Sequence, residues 1–474
     1  MNDNCDPWKT DPAADCEPEH RERWLGLALY ILVASALPPA ARAGESFQLG
    51  EHLSVTPGGT LAVAGFSAAG ANFGNGRQDL RNGDNTGDGG WGEGYLAPSV
   101  TLESTQLPAG VLYGGVSAVA ALTAGEGDPG GYTAGGDGGA DLENAFMGWR
   151  SAALTAGGED NTVDLSYGRQ PFRVGDGFLI DDGNFENGNK GAYWLIPRMA
   201  YQRAGIARFD LGQWQGAGFY LDSDIDQDDT RLAGISLEYE PAEIGTFGLL
   251  YFRVTHSGPM NWNNARDGMD VFSARINGLT LGSLPGLSLW SEYVVEFGDG
   301  RDGRFNADAG YLEARYTFAD LPWSPSLSYR YAYFSGDSDP LDTTRKDFEP
   351  FFYYGDFENR GWGTWNQGEV ASNYLLFNSN QRNHMVHLSA TPSAAITSGV
   401  LYFRFDLDQA QYYGTPVSSR RFADEINVYL DWSFTETVSA SAVYGVALPA
   451  QGARDAFGDN QAFHIVEFAM YLSF

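Results

Sequence analysis

Alternation of apolar and polar positions with a period of two dominates this chain, and stretches with a helical period are nearly absent. In the last twelve residues, for example, His464 and Val466 fall on one face and Glu467 falls on the other. Such alternation is typical of β-strands that have one face in an apolar environment. The pattern therefore predicts an all-β protein.

Eighteen alternating segments follow one another along the chain, most of them nine to twelve residues long. A tilted strand of a membrane barrel needs about that length to cross a bilayer. The predicted strands begin near Thr60, Tyr95, Gly110, Leu142, Thr162, Gln202, Gln215, Leu232, Thr246, Met269, Gly286, Asp308, Ser324, Arg382, Thr397, Ala423, Glu436 and Phe463.

The predicted connections alternate in length along the chain. Those after odd-numbered strands are long, including residues 171–201, 298–307 and 335–381, whereas those after even-numbered strands are short. Outer-membrane barrels have an even strand number, short periplasmic turns and long extracellular loops. We therefore predict a transmembrane antiparallel β-barrel of 18 strands with that arrangement of turns and loops.

An apolar run over residues 24–37 is followed by a small-x-small pattern that ends at Ala43. Fourteen residues are too few for a membrane-spanning helix, and the arrangement is typical of a secretory signal peptide. We predict a signal peptide over residues 1–43, a short lead-in over 44–59 and the barrel over 60–474. The alternative for the apolar run is a short membrane anchor.

Composition narrows the class of protein. The chain of 474 residues has 29 Lys and Arg against 61 Asp and Glu, a formal net charge of −32, which excludes a basic nucleic-acid-binding surface. A hydrophobic content of 43% excludes a disordered chain. Both cysteines, Cys5 and Cys16, lie in the predicted signal peptide, so disulfides and thiolate metal sites are not expected. No G-x-S-x-G, H-E-x-x-H or Walker motif occurs, and we expect no enzyme.

The alternating pattern also predicts which side chains face the lumen. If the lipid-facing side of each strand is apolar, the polar residue of each pair points inward. The arginines predicted to line the lumen are Arg150, Arg208, Arg253, Arg275, Arg315, Arg330 and Arg404. Guanidinium groups pair with carboxylates and keep their charge, so a ladder of them can pass an anionic chain. The alternative is that they pair with lumen acids, such as Glu313, and only brace the wall.

Residues 82–93 match the spacing of a calcium-binding loop, with oxygen-bearing side chains at the first, third, fifth and twelfth positions and Gly87 at the sixth. The predicted ligands are Asn82, Asp84, Thr86, Asp88 and Glu93. We expect either a structural Ca²⁺ in this first extracellular loop or a plain cluster of Gly and Asp turns. No other cofactor is expected.

Several sequence blocks carry a family resemblance: residues 168–178, 330–337, 351–356 and 362–369, together with the terminal Phe474. With them the chain resembles the alginate-export family of outer-membrane porins. The resemblance extends over most of residues 60–474. It implies an 18-stranded barrel through which an anionic uronate polymer leaves the cell by an Arg-lined pore.

The resemblance also implies a constriction. Arg169, Arg173 and Asp176 are expected at the mouth of the third outside loop, which narrows the channel by folding inward. The family's exporter has a long periplasmic turn late in its barrel, but Phe434 and Thr435 leave no room for one here. Gating is therefore expected from the long outside loops.

These observations together predict passive export of an anionic, alginate-like exopolysaccharide across the outer membrane of a Gram-negative bacterium. The alternatives are a general diffusion porin for small solutes and a surface adhesin or structural barrel. The expected partners are the anionic polysaccharide, outer-membrane lipid and lipopolysaccharide, and periplasmic export components. Nucleic acid is not expected as a partner.

Overall fold

A computed structural model describes most of the chain beyond the predicted signal peptide. The described residues are 44–78, 85–105, 107–154, 161–184, 189–225, 229–241, 244–258, 266–300, 303–339, 341–354 and 361–474. Residues 1–43 lie outside these ranges, so the signal peptide stays a prediction. Within the described ranges, no helix has the length and apolar character needed to cross a bilayer.

Eighteen antiparallel strands close into one barrel, so the predicted strand number is confirmed. They are β1 Leu53–Ala69, β2 Gly89–Ser104, β3 Gly110–Gly125, β4 Gly138–Ser151, β5 Thr162–Gln170, β6 Tyr201–Leu211, β7 Trp214–Asp222, β8 Arg231–Tyr239, β9 Thr246–His256, β10 Asp270–Leu281, β11 Leu284–Gly300, β12 Gly303–Thr317, β13 Ser326–Phe334, β14 Gln381–Ser393, β15 Ile396–Leu407, β16 Arg421–Ser433, β17 Val438–Pro449 and β18 Phe463–Ser473.

The last strand returns to the first and closes the sheet. β18 pairs with β1 in a register that runs from Thr60 opposite Ser473 to Ala69 opposite His464. Each strand between them pairs with its neighbours in sequence. Closure gives every strand two partners, which is what a sheet needs where lipid offers no hydrogen bonds to an open edge.

Short elements decorate the connections. The short strands are Phe47–Leu49, Arg77–Gln78, Asn85–Thr86, Thr344–Arg345, Gln411–Tyr412 and Thr415–Pro416, and the helical turns are Ala71–Gly74, Tyr193–Leu195, Gly368–Leu375 and Gln451–Phe457. Gly368–Leu375 is a π-helix.

The structure corrects two of the predicted boundaries. Residues 53–59, predicted as lead-in, belong to β1, because each of them pairs with a residue of β2. Their Gly and Thr content obscured the alternating pattern of this part of the strand. Residues 298–307, predicted as a long connection, are largely the ends of β11 and β12, which pair as far as Gly300 and Gly303. The described part of this run, which is rich in Gly and Asp, is therefore strand.

The outer face of the barrel is apolar over a broad band. Its exposed side chains include Leu61, Val63, Leu165, Ile235, Leu249, Leu312, Leu327, Leu388, Val428 and Val466. So many exposed aliphatic side chains would favour aggregation in water, whereas acyl chains accommodate them. The alternation that predicted the strands is thus the alternation between lipid and interior.

The described parts of the two longest connections, residues 171–200 and 335–380, fold into the lumen. Ile180 and Phe352 form a parallel bridge there, and the N–H groups of Asp181 and Asp182 both donate to the carbonyl of Phe352. Phe178 and its neighbours pack with inner-wall residues such as Phe252 into one buried cluster. The lumen therefore contains a dry core that joins these connections to the wall.

A second core lies around the π-helix Gly368–Leu375. Val370, Ala371 and Leu375 are buried in one cluster with inner-wall residues of β14–β18. The wall residue Glu425 accepts hydrogen bonds from the N–H groups of Val370 and Ala371 at 2.9 and 2.8 Å. Because the first N–H groups of a helix have no partner within it, this carboxylate fixes the start of the π-helix to the wall.

Candidate functional site in the lumen

Two of the arginines predicted to line the lumen lie on the outer face instead. Arg253 is 52% exposed and pairs with Asp270 at 2.7 Å, and Arg404 is 49% exposed and pairs with Asp406 at 2.8 Å. Their strand neighbours, such as Phe252 and Phe403, are the buried residues that face inward. The predictions for Arg253 and Arg404 were wrong.

The physical reason is that the prediction assumed a wet lumen. The inner faces of β9 and β15 belong to the two dry cores that the long connections form, so apolar side chains occupy both faces of these strands. The alternation of residues along the strand cannot then distinguish its inner face from its outer face. Arg253 and Arg404 lie towards the ends of their strands where the long connections emerge, where polar headgroups rather than acyl chains are expected.

Three of the predicted arginines face inward and brace the structure. Arg330 is completely buried, its guanidinium lies 4.8 Å from the centre of the Trp365 ring, and its Nη1 lies 3.8 Å from Glu313. Arg315 lies 3.6 Å from the same carboxylate. Arg275 is buried and pairs with Glu238. These side chains fit the bracing alternative rather than an open ladder.

The two remaining predicted arginines line a cavity of about 800 Å³, together with Arg173 from an in-folded connection. Arg150 and Arg208 flank Asp164 from the neighbouring strands β4 and β6. Asp164 accepts hydrogen bonds from Arg150 at 3.1 Å and from the Tyr113 hydroxyl. We call this cavity the arginine vestibule; it lies towards the end of the barrel where the short connections lie.

Arg208 differs from the other inward arginines. Its guanidinium lies over the Phe172 ring, 5.3 Å from the ring centre, and the residue is exposed within the lumen. Among the residues that the structure describes, no carboxylate forms an ion pair with it. Arg208 therefore presents a guanidinium that can receive an anion from the vestibule.

A larger cavity of about 1320 Å³ lies among the in-folded connections, and we call it the central cavity. Its aromatic lining residues are Phe66, Tyr132, Tyr193, Trp194, Phe348, Phe351, Phe352, Tyr353, Tyr354, Trp362, Tyr374, Phe377, Tyr412, Tyr413, Phe457 and Tyr471. Arg173 lines both cavities and pairs with Asp181 at 3.1 Å. This arginine therefore stands where the two cavities adjoin.

Acidic side chains also line the central cavity, among them Glu369 of the π-helix and Glu467 of the wall. Burial raises the pKa of Glu369 well above its ordinary range, and the neighbouring carboxylates of Glu467 and Glu425 raise it further. The raised pKa favours the neutral acid, which weakens the repulsion between Glu369 and a passing carboxylate.

The other two residues predicted at the constriction line neither cavity. Arg169 pairs with Asp224 and donates from Nε to the carbonyl of Glu143 at 3.0 Å. Asp176 is buried, and it accepts a hydrogen bond from the Tyr311 hydroxyl at 2.7 Å. They position the connection that begins after β5, and Arg173 is the member of the predicted group that lines the two cavities.

The structure contradicts the predicted role of Glu93 as the last calcium ligand of the loop. Glu93 lies on the inner face of β2, and its carboxylate accepts hydrogen bonds from the N–H groups of Trp194 and Leu195 at 2.8 and 3.2 Å. Asp88 accepts from the N–H of Ala71. Because residues 89–93 are extended, positions 88 and 93 stand roughly 16 Å apart, too far to share one ion.

The remaining predicted ligands are not brought together by the described structure. Asn82 and Asp84 lie outside the described residues, and Thr86 belongs to a short strand that pairs with Arg77. Within the described ranges, no group of three or more His, Cys, Asp or Glu side chains is placed to hold a metal ion. Calcium binding in this loop stays a prediction, and Glu93 is not one of its ligands.

Sequence reasoning missed the aromatic residues of the central cavity. Trp194, Tyr374 and Tyr413 stand on connections, where no period-two pattern assigns a direction to a side chain. The available signal was the density of aromatic residues within the two longest connections, as in residues 351–365. That density indicates burial in the lumen, since an exposed loop rarely holds so many large rings.

A closed 18-stranded barrel with an apolar outer face and a partly filled lumen defines a channel of the outer membrane. Solved barrels share the fold. OccD3 (OpdP) of Pseudomonas aeruginosa has a TM-score of 0.53 at 12% identity, over 93% of this chain and 97% of that one. OccAB2 of Acinetobacter baumannii has a TM-score of 0.51 at 8% identity, over 88% of this chain and 98% of that one. Identities this low show the fold alone.

A family model described as alginate export matches residues 137–411, which is more than half of the chain. The chain therefore belongs to the alginate-export family of outer-membrane proteins, and the predicted family is confirmed. No curated protein matches the sequence.

Proposed function

We propose that this channel passively exports an anionic, alginate-like exopolysaccharide across the outer membrane of a Gram-negative bacterium. The observation that carries the proposal is Arg208, a lumen guanidinium without an ion pair among the described residues, in a vestibule that it shares with Arg150 and Arg173. Planar guanidinium groups match carboxylates in shape and charge, so a uronate unit suits this site.

The position of the vestibule fits an export direction. In outer-membrane barrels the short turns face the periplasm, so a polymer leaving the cell meets the vestibule before the central cavity. Periplasmic export components would deliver the polymer at this end, and the long connections would face lipopolysaccharide. A lumen of low dielectric strengthens the local field of the arginines against the overall acidity of the chain.

A general diffusion porin for small solutes is the second candidate. The observation that favours it is the filling of the lumen by residues 171–200 and 335–380, which leaves separate cavities rather than one wide bore. Arg275, Arg315 and Arg330 are also engaged in ion pairs and are not available to a moving polymer.

The test is electrical recording from the folded protein in a planar bilayer. We expect anion selectivity in a salt gradient and current block by an oligouronate, with block weakened about tenfold in Arg208→Ala, since one charge-assisted hydrogen-bond pair is worth about 1.5–3 kcal/mol. The matched control is Arg253→Ala, which removes an arginine from the outer face and should leave block unchanged.

Either of two results would contradict the proposal. Cation selectivity with no response to the oligouronate would favour the diffusion porin. Equal loss of block in Arg208→Ala and Arg253→Ala would mean that the vestibule does not bind the polymer.

A further inference from the structure

The central cavity presents aromatic rings that come from several connections at once. Trp194 follows β5, Tyr374 follows β13 and Tyr413 follows β15, and all three line the same space. The rings are partly exposed there, and Tyr413 is 62% exposed. A protein that only needed to fill its lumen would bury such rings, so their open faces call for a ligand.

The rings are held in fixed orientations by one another. Tyr132 and Tyr193 stack with their centres 5.3 Å apart, and Trp194 stands nearly perpendicular to Tyr193 at 4.9 Å. Trp194 also contacts Tyr374 at 4.8 Å. Because the rings are positioned before a ligand arrives, little conformational freedom is lost when one binds.

Two polar atoms of these rings lack partners. Among the described residues, neither the indole N–H of Trp194 nor the hydroxyl of Tyr374 has a hydrogen-bond partner. Both atoms are buried, so a ligand in the cavity meets the open faces of these rings and not these two polar groups. Glu369 and Asn373 add a carboxyl and an amide to the same lining.

This combination selects a chemical class. A pyranose ring has flat faces of C–H groups, which pack on aromatic rings, and a rim of hydroxyl groups, which needs donors and acceptors. A lipid chain would leave the polar groups of the cavity unpaired. The acidic side chains beside Lys190, Arg198 and Arg266 give the cavity mixed charge, so it does not select one sign.

We propose that the central cavity is a saccharide-binding site in which Trp194, Tyr374 and Tyr413 stack on pyranose rings whether or not those rings carry a carboxylate. The inference rests on the proposed function and deepens it: the arginine vestibule selects charge, and the central cavity holds the sugar ring itself. The occupant is a pyranose segment of the exported polymer.

The test compares two hexasaccharides in single-channel recordings of the full protein: an oligouronate and a neutral β-1,4-linked glucose oligomer. We expect both to block the wild-type current. Trp194→Ala should shorten the blocks of both oligomers about tenfold, while Trp194→Phe should keep most of the duration, since stacking on one ring is worth on the order of 1–3 kcal/mol. Arg208→Ala should shorten only the oligouronate blocks.

Tyr413→Ala provides a second variant, because its ring is exposed and its removal spares the cores. We expect the same shortening for both oligomers. Oligouronate block without neutral block in the wild type would overturn this inference and leave the proposed function standing. Neutral block without oligouronate block would overturn the proposed function, and it would also overturn the part of the inference that lets the site hold charged pyranose rings. Unchanged block durations in both Trp194→Ala and Tyr413→Ala would overturn the inference.

Discussion

The arginine vestibule and the central cavity share one lumen, but different parts of the chain build them. Arg150 and Arg208 stand on wall strands, where paired neighbours fix their direction. Trp194 and Tyr374 stand on long connections, whose positions depend on docking against the inner wall. The wall therefore supplies charge at fixed places, and the connections supply rings that depend on docking. The following experiments are designed to separate the two.

The largest effect is expected from Trp365→Ala. Trp365 is completely buried, contacts Phe178 and Tyr311 with ring centres 4.5 and 4.4 Å away, and donates its indole N–H to the carbonyl of Asp176. Its loss should destabilise the docked connections by about 3–5 kcal/mol and raise single-channel conductance several-fold.

The same variant should separate the two lumen regions. Neutral-sugar block should disappear with the central cavity, while the ion selectivity that depends on Arg208 should persist. Trp323→Ala is the control, because Trp323 is exposed. Unchanged conductance in Trp365→Ala would show that the connections are docked without this contact.

A smaller effect, on the free energy of unfolding, should distinguish the inner arginines from the outer ones. Glu313→Ala removes a carboxylate beside the buried Arg330, which should lower the free energy of unfolding by about 3 kcal/mol. Arg253 is half-exposed, so its pair with Asp270 should contribute about 1 kcal/mol or less. Denaturant unfolding of Glu313→Ala and Arg253→Ala measures both. Equal costs would mean that the lumen around Arg330 is as well solvated as the outer face.

The smallest effect concerns pH and the central cavity alone. Burial, with Glu467 of β18 and Glu425 of β16 close by, raises the pKa of Glu369 above its ordinary value of 4.5. Below about pH 4.5, Glu369 is protonated whether the π-helix is docked on the wall or released, so docking carries no cost for suppressing its ionisation. As pH rises above that value, the released form ionises first and docking weakens progressively until Glu369 ionises in place.

Raising the pH from 5 to 9 should therefore loosen the π-helix Gly368–Leu375 and increase conductance. Glu369→Gln should remove most of this dependence, because an amide does not titrate. Amide hydrogen exchange of residues 368–375 gives a second readout. A wild-type protein whose exchange and conductance are independent of pH would contradict this account of Glu369.

The barrel was largely predictable from the sequence. Lipid on one side and a different environment on the other impose a period of two, so the strand number followed from the pattern even where boundaries such as residues 298–307 were wrong. On β12 and β13 the inner residues Glu313, Arg315 and Arg330 are polar, and parity gave their direction correctly.

Tertiary structure decided what the lumen contains. Residues 171–200 and 335–380 return into the barrel and turn the inner faces of β9 and β15 into dry core, so Arg253 and Arg404 face outward. The central cavity arises from rings that are far apart in sequence and meet only when these connections dock. A repeating pattern records the two environments of a strand, but it holds no information about which distant loop provides the inner one.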